Sequence, residues 1–224
     1  AVVPPDPASL APPVEPAVIT GIAASTAFLY TGANAIQTGV APGTIEAARI
    51  TVLRGKVMTA DKEPLPGVTV SILDHPELGQ SASRADGQFD LVVNGGGKLT
   101  INYARPGYMP VQRSVDAPWQ AYVVAPEVVL LPFDSQSTAI TTGAAAPMQV
   151  ARSSVVADQD GSRSTTLIFP SGTTAAMVMP DGTTRELGTL TVRATEYTVG
   201  ANGRNAMPGL LPATSAYTYA VENS

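Results

Sequence analysis

The chain has no cysteine and a single histidine in 224 residues. The first absence removes disulfides, thiol nucleophiles and zinc–thiolate sites, and leaves the compartment open. The second makes any Ser-His-Asp arrangement depend on His75, which sits in the turn-forming run Asp74-His-Pro-Glu77 with no Gly-x-Ser-x-Gly elbow anywhere to present a serine. His75 therefore reads as a turn residue. Charge is scarce too: 14% of residues are charged, against about 25% in an ordinary soluble domain. Thirteen basic and 18 acidic residues, with no basic stripe, leave no footprint for nucleic acid. No apolar run approaches the ~20 residues that cross a bilayer as a helix. The chain begins with Ala1 and shows no basic-then-apolar leader, so a processed chain or an excised piece is expected.

What replaces the charge is Thr, Ser, Ala and 20 residues each of Gly and Pro. A surface of that kind solvates weakly and is readily covered by another protein surface. The length suits about one or two domains. Residues 1–16 hold Pro4, Pro5, Pro7, Pro12, Pro13 and Pro16, which forbid helix and sheet interior and favour polyproline II. Either this is a disordered tail or it is an arm lying on a partner or on the rest of the chain. Asp6 and Glu15 are the only charges in the first 45 residues, which favours the arm. Residues 20–32 read as a short helix with Thr20 as N-cap and Gly32 closing the end.

From Arg49 the hydrophobic period becomes two. Ile50, Val52 and, after a phase change near Gly55, Val57 fit a first strand. Val68, Val70 and Ile72 give a second; Asp86-Gly87 turns into Phe89, Leu91 and Val93; Asn94-Gly-Gly-Gly97 turns into Leu99, Ile101 and Tyr103. Val111–Val115 and Tyr122–Leu131 complete the set. Short strands at such spacing mean an all-β sandwich. Further strands follow at Met148–Val155, Thr165–Phe169, Ala175–Met179, Leu190–Tyr197 and Tyr217–Val221, with Asp160-Gly161, Ser171-Gly172 and Asp181-Gly182 as turns. A chain that stops on a strand is expected to be a fragment of something longer. The expected organisation is a Pro-rich arm and lead-in over 1–48, a β-sandwich over 49–133 and a second small β-domain over 134–224.

Leu53-Arg-Gly-Lys-Val57, Pro64-Leu-Pro-Gly-Val-Thr-Val70 and Arg84-Ala-Asp-Gly-Gln-Phe-Asp-Leu91 resemble the transthyretin-like, or carboxypeptidase-regulatory-like, domain. His75–Gly79, Val93–Gly97, Tyr103–Tyr108 and Val115–Trp119 are similar to the version that precedes the repeats of bacterial RHS/YD-repeat proteins and teneurins. Phe169–Ala175, Met179–Thr183, Arg193–Gly200 and Met207–Pro212 resemble the segment that follows it. The resemblance implies a plug-like second domain closing one end of the β-shell that YD repeats build, and an extracellular or cell-surface setting. No YD repeat stands in this chain; Tyr217-Thr-Tyr219 lacks the Tyr-Asp pair and the Gly-Arg that follows it.

No group points to catalysis or to a cofactor. The best oxygen-only metal loop, Asp158-Gln-Asp160-Gly161, lacks the glycine and glutamate an EF-hand needs at the positions of Arg163 and Phe169, and reads as a hairpin. A Lys56–Asn crosslink fails because Val123–Phe133 holds no Asn. Only Glu127 and Asp134 are charged between Gln120 and Val150, as in the core of an interface. The leading expectation is thus a non-enzymatic structural module that grips protein, with Trp119, Tyr122, Phe133, Met177, Met179 and Tyr197 as docking residues. One alternative is a self-assembling subunit of a filament or oligomer that uses the arm or the terminal strand. The other is a glycan-binding module that stacks sugars on Tyr103, Tyr108, Trp119 and Tyr122.

Overall fold

The computed structural model describes residues 3–13, 15–158, 161–197, 203–210 and 220–224. The chain divides into two compact units, Ala1–Leu131 with Arg204–Thr214 and Pro132–Gly203 with Ser215–Ser224. Strand is the dominant element throughout, so the chain is all-β, as its period-two pattern implies.

The first unit holds strands β1 (Ile50–Met58), β2 (Thr69–Ile72), β3 (Gln80–Ala82), β4 (Gln88–Asn94), β5 (Gly97–Ala104), β6 (Val111–Ala117), β7 (Ala121–Val124) and β8 (Val128–Val129). Two sheets form. One runs β4-β1-β7, with β8 also on β1; the other runs β3-β2-β5-β6. Strands β7 and β8 pair with β1 in parallel, while β4 pairs with it antiparallel. Between the sheets lies a core that includes Leu53, Val57, Val70, Phe89, Leu91, Val93, Ile101, Tyr103, Val111, Val115 and Val128.

No phase change interrupts β1. Leu53 and Val57 face the inter-sheet core, and Gly55 continues their row beneath the Phe89 ring, where a Cβ would come within 2.6 Å of it. Ile50 and Val52 point the opposite way, into a second core with Leu29, Ile36 and Val92. Both sets are buried because both faces of the sheet are covered, which a half-exposed strand pattern does not anticipate.

The cover is the lead-in. Helix α1 (Ile22–Thr26) and the 3-10 turn Ala27–Leu29 lay Ile22, Ala23, Phe28 and Leu29 on that outer face. The N-cap is Gly21 and not Thr20, and it offers no side-chain cap; the Thr26 hydroxyl bonds back to the Ile22 carbonyl at 2.6 Å instead. Gln37, 2% exposed, completes the closure. Its amide Nε2 donates to the carbonyls of Leu78 (2.7 Å) and Val92 (2.8 Å), and its Oε1 accepts from the Val92 N–H at 2.7 Å. Next to it, Thr38 exchanges backbone bonds with Gln80 on β3 at 2.8 and 2.9 Å. Two successive residues thereby occupy the edges of β4 and β3, one from each sheet.

The second unit is a set of ribbons. Strands β9 (Thr138–Thr141), β10 (Gln149–Arg152), β11 (Val156–Asp158), β12 (Gly161–Arg163), β13 (Thr166–Phe169), β14 (Ala175–Val178), β15 (Thr184–Leu187), β16 (Thr189–Val192), β17 (Ala194–Tyr197) and β18 (Ala220–Asn223) pair two at a time. Strands β10 and β11 pair with β13 and β12 as one hairpin with a step at Ser153, whose N–H bonds the Thr165 carbonyl. Strands β15, β16 and β17 follow one another almost without interruption and pair in turn with β14, β9 and β18. Of the terminal strand expected at 217–221, residues 217–219 lie outside the described set.

Candidate interaction surfaces

Three places in the first unit bind a peptide segment or present an unpartnered face. The first is Arg113 on β6. It occupies an inward position between Val111 and Val115, both in the core, and is 2% exposed. A guanidinium there must find acceptors, because a buried charge left without them costs several kcal/mol. It finds main-chain carbonyls: Met207 at 2.9 Å, Arg204 at 3.2 Å, Asn205 at 2.8 Å and its neighbour Gln112 at 2.7 Å. These belong to the turn of helix α2 (Gly203–Ala206) and the residue after it, so the cation caps the carbonyl end of that turn. The Gln112 N–H, on the edge strand, donates to the Pro208 carbonyl at 2.7 Å. The segment 204–208 is thus fastened to the first unit by a side-chain hook and an edge bond. Beside it the Tyr103 hydroxyl is buried with no hydrogen-bond partner among the described residues, and burial pushes that phenol up, the Arg113 charge offsetting only part of the effect.

The second place is the outer face of β1 and β4. Arg54 and Asp90 are cross-strand partners there, and Asp90 is buried between Arg54 Nε (2.6 Å) and the Arg84 guanidinium. Over this pair lies the N-terminal arm. Asp6, Pro7, Ala8 and Ala11 line one groove with Phe28, Arg54, Arg84, Gln88 and Asp90, and Leu10 packs against the second core.

The third is the face of edge strand β7. Tyr122 is half exposed with Arg54 above its ring at 4.8 Å, and Val124 is 81% exposed. Trp119 is 60% exposed but fixed, its Nε1 donating to the Gly95 carbonyl at 3.0 Å. Tyr103 sits in the core and Tyr108 packs against it, so the four aromatics named for a sugar platform do not share a surface.

In the second unit Met177 and Met179 are exposed, Phe133 is half-buried beneath Arg193 (5.5 Å from guanidinium carbon to ring centre), and Tyr197 is 4% exposed. Tyr197 is therefore buried, as is the rest of β17, and is not an exposed docking residue. Met148, Val150, Val155, Ile168 and Val178 are exposed in addition; Val150 and Ile168 are cross-strand neighbours. Buried apolar side chains in this unit are few among the described residues: Ile140, Tyr197 and three alanines, Ala146, Ala151 and Ala194.

Polar ties hold the unit where a core does not. Asp134 accepts from the N–H groups of Gln136 (2.8 Å) and Ser154 (2.7 Å) and from the Ser154 hydroxyl (2.7 Å), while its own N–H reaches Thr195. Burial raises its carboxyl, but these bonds and the Arg193 charge outweigh that and hold it below the usual range. Glu196, buried, takes Arg163 at 2.7 Å.

His75 lies in an exposed turn against Glu77, 2.9 Å away, and that bond holds the Glu77 carboxyl down. Asp158 pairs across to Gly161, as a hairpin requires; Gln159 and Asp160 lie outside the described residues. Among the described residues no group of acids and histidine could hold a metal ion, and no helix is long and apolar enough to cross a membrane.

The sequence signal that could have found the Arg113 hook is a charge at an inward position of an otherwise alternating strand, Val111-Gln-Arg-Ser-Val115. Gln37 carries no such signal.

Residues 45–130 match the family model described as the teneurin TTR-like domain. Teneurin-1 of Gallus gallus is 41% identical over 96 residues, which is 42% of this chain and 4% of that protein. Teneurin-m of Drosophila melanogaster is 38% identical over 99 residues, 44% of this chain and 4% of that protein. The chain thus corresponds to a small part of the curated relatives it matches. A solved structure described as a Streptococcal ancillary pilin aligns with 79% of the chain and 59% of its own at a TM-score of 0.31 and 11% identity, too low to support an argument.

Proposed function

From the premise that residues 45–130 are a teneurin-like, transthyretin-like domain, we propose that the chain is a non-enzymatic structural module whose second unit is completed by neighbouring polypeptide. Its place is at the base of a YD-repeat shell in a secreted or surface protein, as the sequence resemblance implies. The second unit is the plug-like part.

One observation carries this reading. The second unit exposes Met148, Val150, Val155, Ile168, Met177 and Val178 while burying few side chains larger than alanine among its described residues. Two-stranded ribbons are marginal alone in water and reach stability by packing an apolar face on something else. The first unit has a core of its own and supplies the rigid end.

Hydrogen exchange tests the reading. Amides of β1, β2, β4 and β5 are expected to resist exchange in the purified chain, while those of β10, β13 and β14 exchange readily. Adding the polypeptide encoded after Ser224 is expected to protect the second group. Ribbons protected as strongly as the first unit in the chain alone would sink the idea, as would a downstream segment that neither binds nor protects them.

A further inference from the structure

The Pro-rich arm is seated, and its seating has a period. Of its described residues, Pro4, Pro7 and Leu10 are half-buried while the residues between them are exposed. A spacing of three is the repeat of both polyproline II and the 3-10 turn that Pro7–Ser9 forms, so these three side chains share one face. That face meets two grooves of the first unit. Val3, Pro4 and Pro5 lie beside the edge strand β3, in a groove of about 330 Å³ with Ala35, Ile36, Thr38 and Gln80. Pro7 and Ala8 lie over Phe28 and the Arg54–Asp90–Arg84 clamp, in a groove of about 330 Å³, and Leu10 enters the second core. This is how extended Pro-rich peptides are recognised: a preformed strand of low entropy, apolar contacts every third residue, and an aromatic and charged wall.

What joins this bound peptide to the rest of the chain is different in kind. From Ala11 to Gly21 every described residue is exposed, including Val18 and the fully exposed Ile19. Ala11 still lines the groove with Arg54 and Asp90; from Pro12 on, the described residues stand in solvent. Pro12 and Pro13 favour extended backbone, and at Glu15–Val18 the chain turns, the Val18 N–H bonding the Glu15 carbonyl at 3.0 Å. A bound segment on an exposed connection of this length is an arrangement that permits exchange between copies, because the contacts made in trans are those made in cis.

We propose that the groove over β3 and the Arg54–Asp90–Arg84 clamp is a docking site for the Pro-rich arm of a second copy of this chain, occupied in the isolated molecule by the chain's own arm. The self-occupied form prevails in dilute solution. A spacer of this length gives the tethered arm an effective concentration on the order of millimolar, so arms exchange where copies are crowded to that level, as on a surface. This inference does not depend on the docking of the second unit.

The chain lacks cysteine, which makes the test clean. Two full-length variants are prepared, Ala8→Cys in the arm and Gln88→Cys in the groove, two positions that line the same groove. They are mixed at about 1 mM, the effective concentration estimated above, then oxidised and run without reductant. The expected result is a disulfide-linked heterodimer, several-fold above the level given by Ala8→Cys with the off-site partner Thr184→Cys, and lost again on hundredfold dilution before oxidation. The double variant Ala8→Cys/Gln88→Cys is expected to close within one molecule when dilute. Closure in the double variant without heterodimers in the mixture would overturn the exchange. Failure of the double variant to close, by oxidation and also by a short bis-maleimide crosslinker that spans the groove, would show that the arm does not rest in the groove at all, and overturn the proposal at its first step.

Discussion

Replacing Gln37 by alanine probes how the lead-in becomes part of the sandwich. Three hydrogen bonds of 2.7–2.8 Å disappear together, and the partners left behind are buried: the Val92 N–H and C=O and the Leu78 C=O. A typical hydrogen bond contributes about 0.5–1.5 kcal/mol net, and an orphaned buried group costs about 1–3 kcal/mol. Water entering the vacated space can answer one or two of these groups. The expected loss is therefore about 3 kcal/mol, a large part of the roughly 5–15 kcal/mol that holds a domain folded. Urea denaturation followed by far-ultraviolet circular dichroism reads it as a lower midpoint with an unchanged slope. Gln37→Glu distinguishes the stated geometry from simple loss of packing. A carboxylate can still accept from the Val92 N–H, but it sets a negative group against two carbonyl oxygens, so this near-isosteric change is expected to destabilise at least as much as alanine. A loss below ~0.5 kcal/mol for Gln37→Ala, the range of ordinary surface substitutions, or a Gln37→Glu variant as stable as the parent, would refute the claim that this amide closes the β4 edge.

Other outcomes follow from the same geometry. Arg113→Met removes the donors that hold the carbonyls of 204, 205 and 207; a loss of about 3 kcal/mol is expected, with faster exchange of the Gln112 amide and of residues 204–207 while β1 and β4 stay protected. The Asp134 carboxyl has a folded pKa below its unfolded value, so its contribution is present above the unfolded pKa of about 3.9 and is lost as pH falls through the folded one. Asp134→Asn is expected to flatten the acid limb of second-unit stability measured by hydrogen exchange against pH; an unchanged limb would contradict the assignment. Gly55→Ala places a methyl group 2.6 Å from Phe89 Cε1, and overpacking of this kind costs about 1–3 kcal/mol, checked by the denaturation midpoint.

The sandwich was legible because its strands follow period two. Phe89, Leu91 and Val93 fall on one face in the pattern, and all three lie in the core. The apparent slip at Gly55 was a misreading with a physical cause: a glycine hides the inward row, and Ile50 and Val52 look like core residues because they are, but of a different core. Nothing in Gln37 announces its role, since an amide that pairs with a strand edge looks like any surface glutamine until the fold brings Val92 to it from 55 positions away. The docking residues were chosen as large and apolar, a criterion that separates surface from interior poorly: Met177 is exposed and Tyr197, on β17, is buried. In the second unit β10, β13, β14, β16 and β17 correspond to expected strands, while β9, β12 and β15 were not legible as strands, nor was the succession of partners along β15, β16 and β17, because register is set by residues from distant parts of the chain.

The hook at Arg113 also bears on how the molecule is made. Its acceptors at 204–207 are synthesised after the excursion through 132–203, so the ribosome adds about 70 residues between the last strand of the first unit and the carbonyls that this cation needs. At roughly 5–20 residues per second, the nascent sandwich waits about 4–14 seconds before the carbonyls of 204, 205 and 207 can reach that guanidinium. During the wait the guanidinium keeps the Gln112 carbonyl beside it, and the bonds that fasten 204–207 form only when the returning turn arrives.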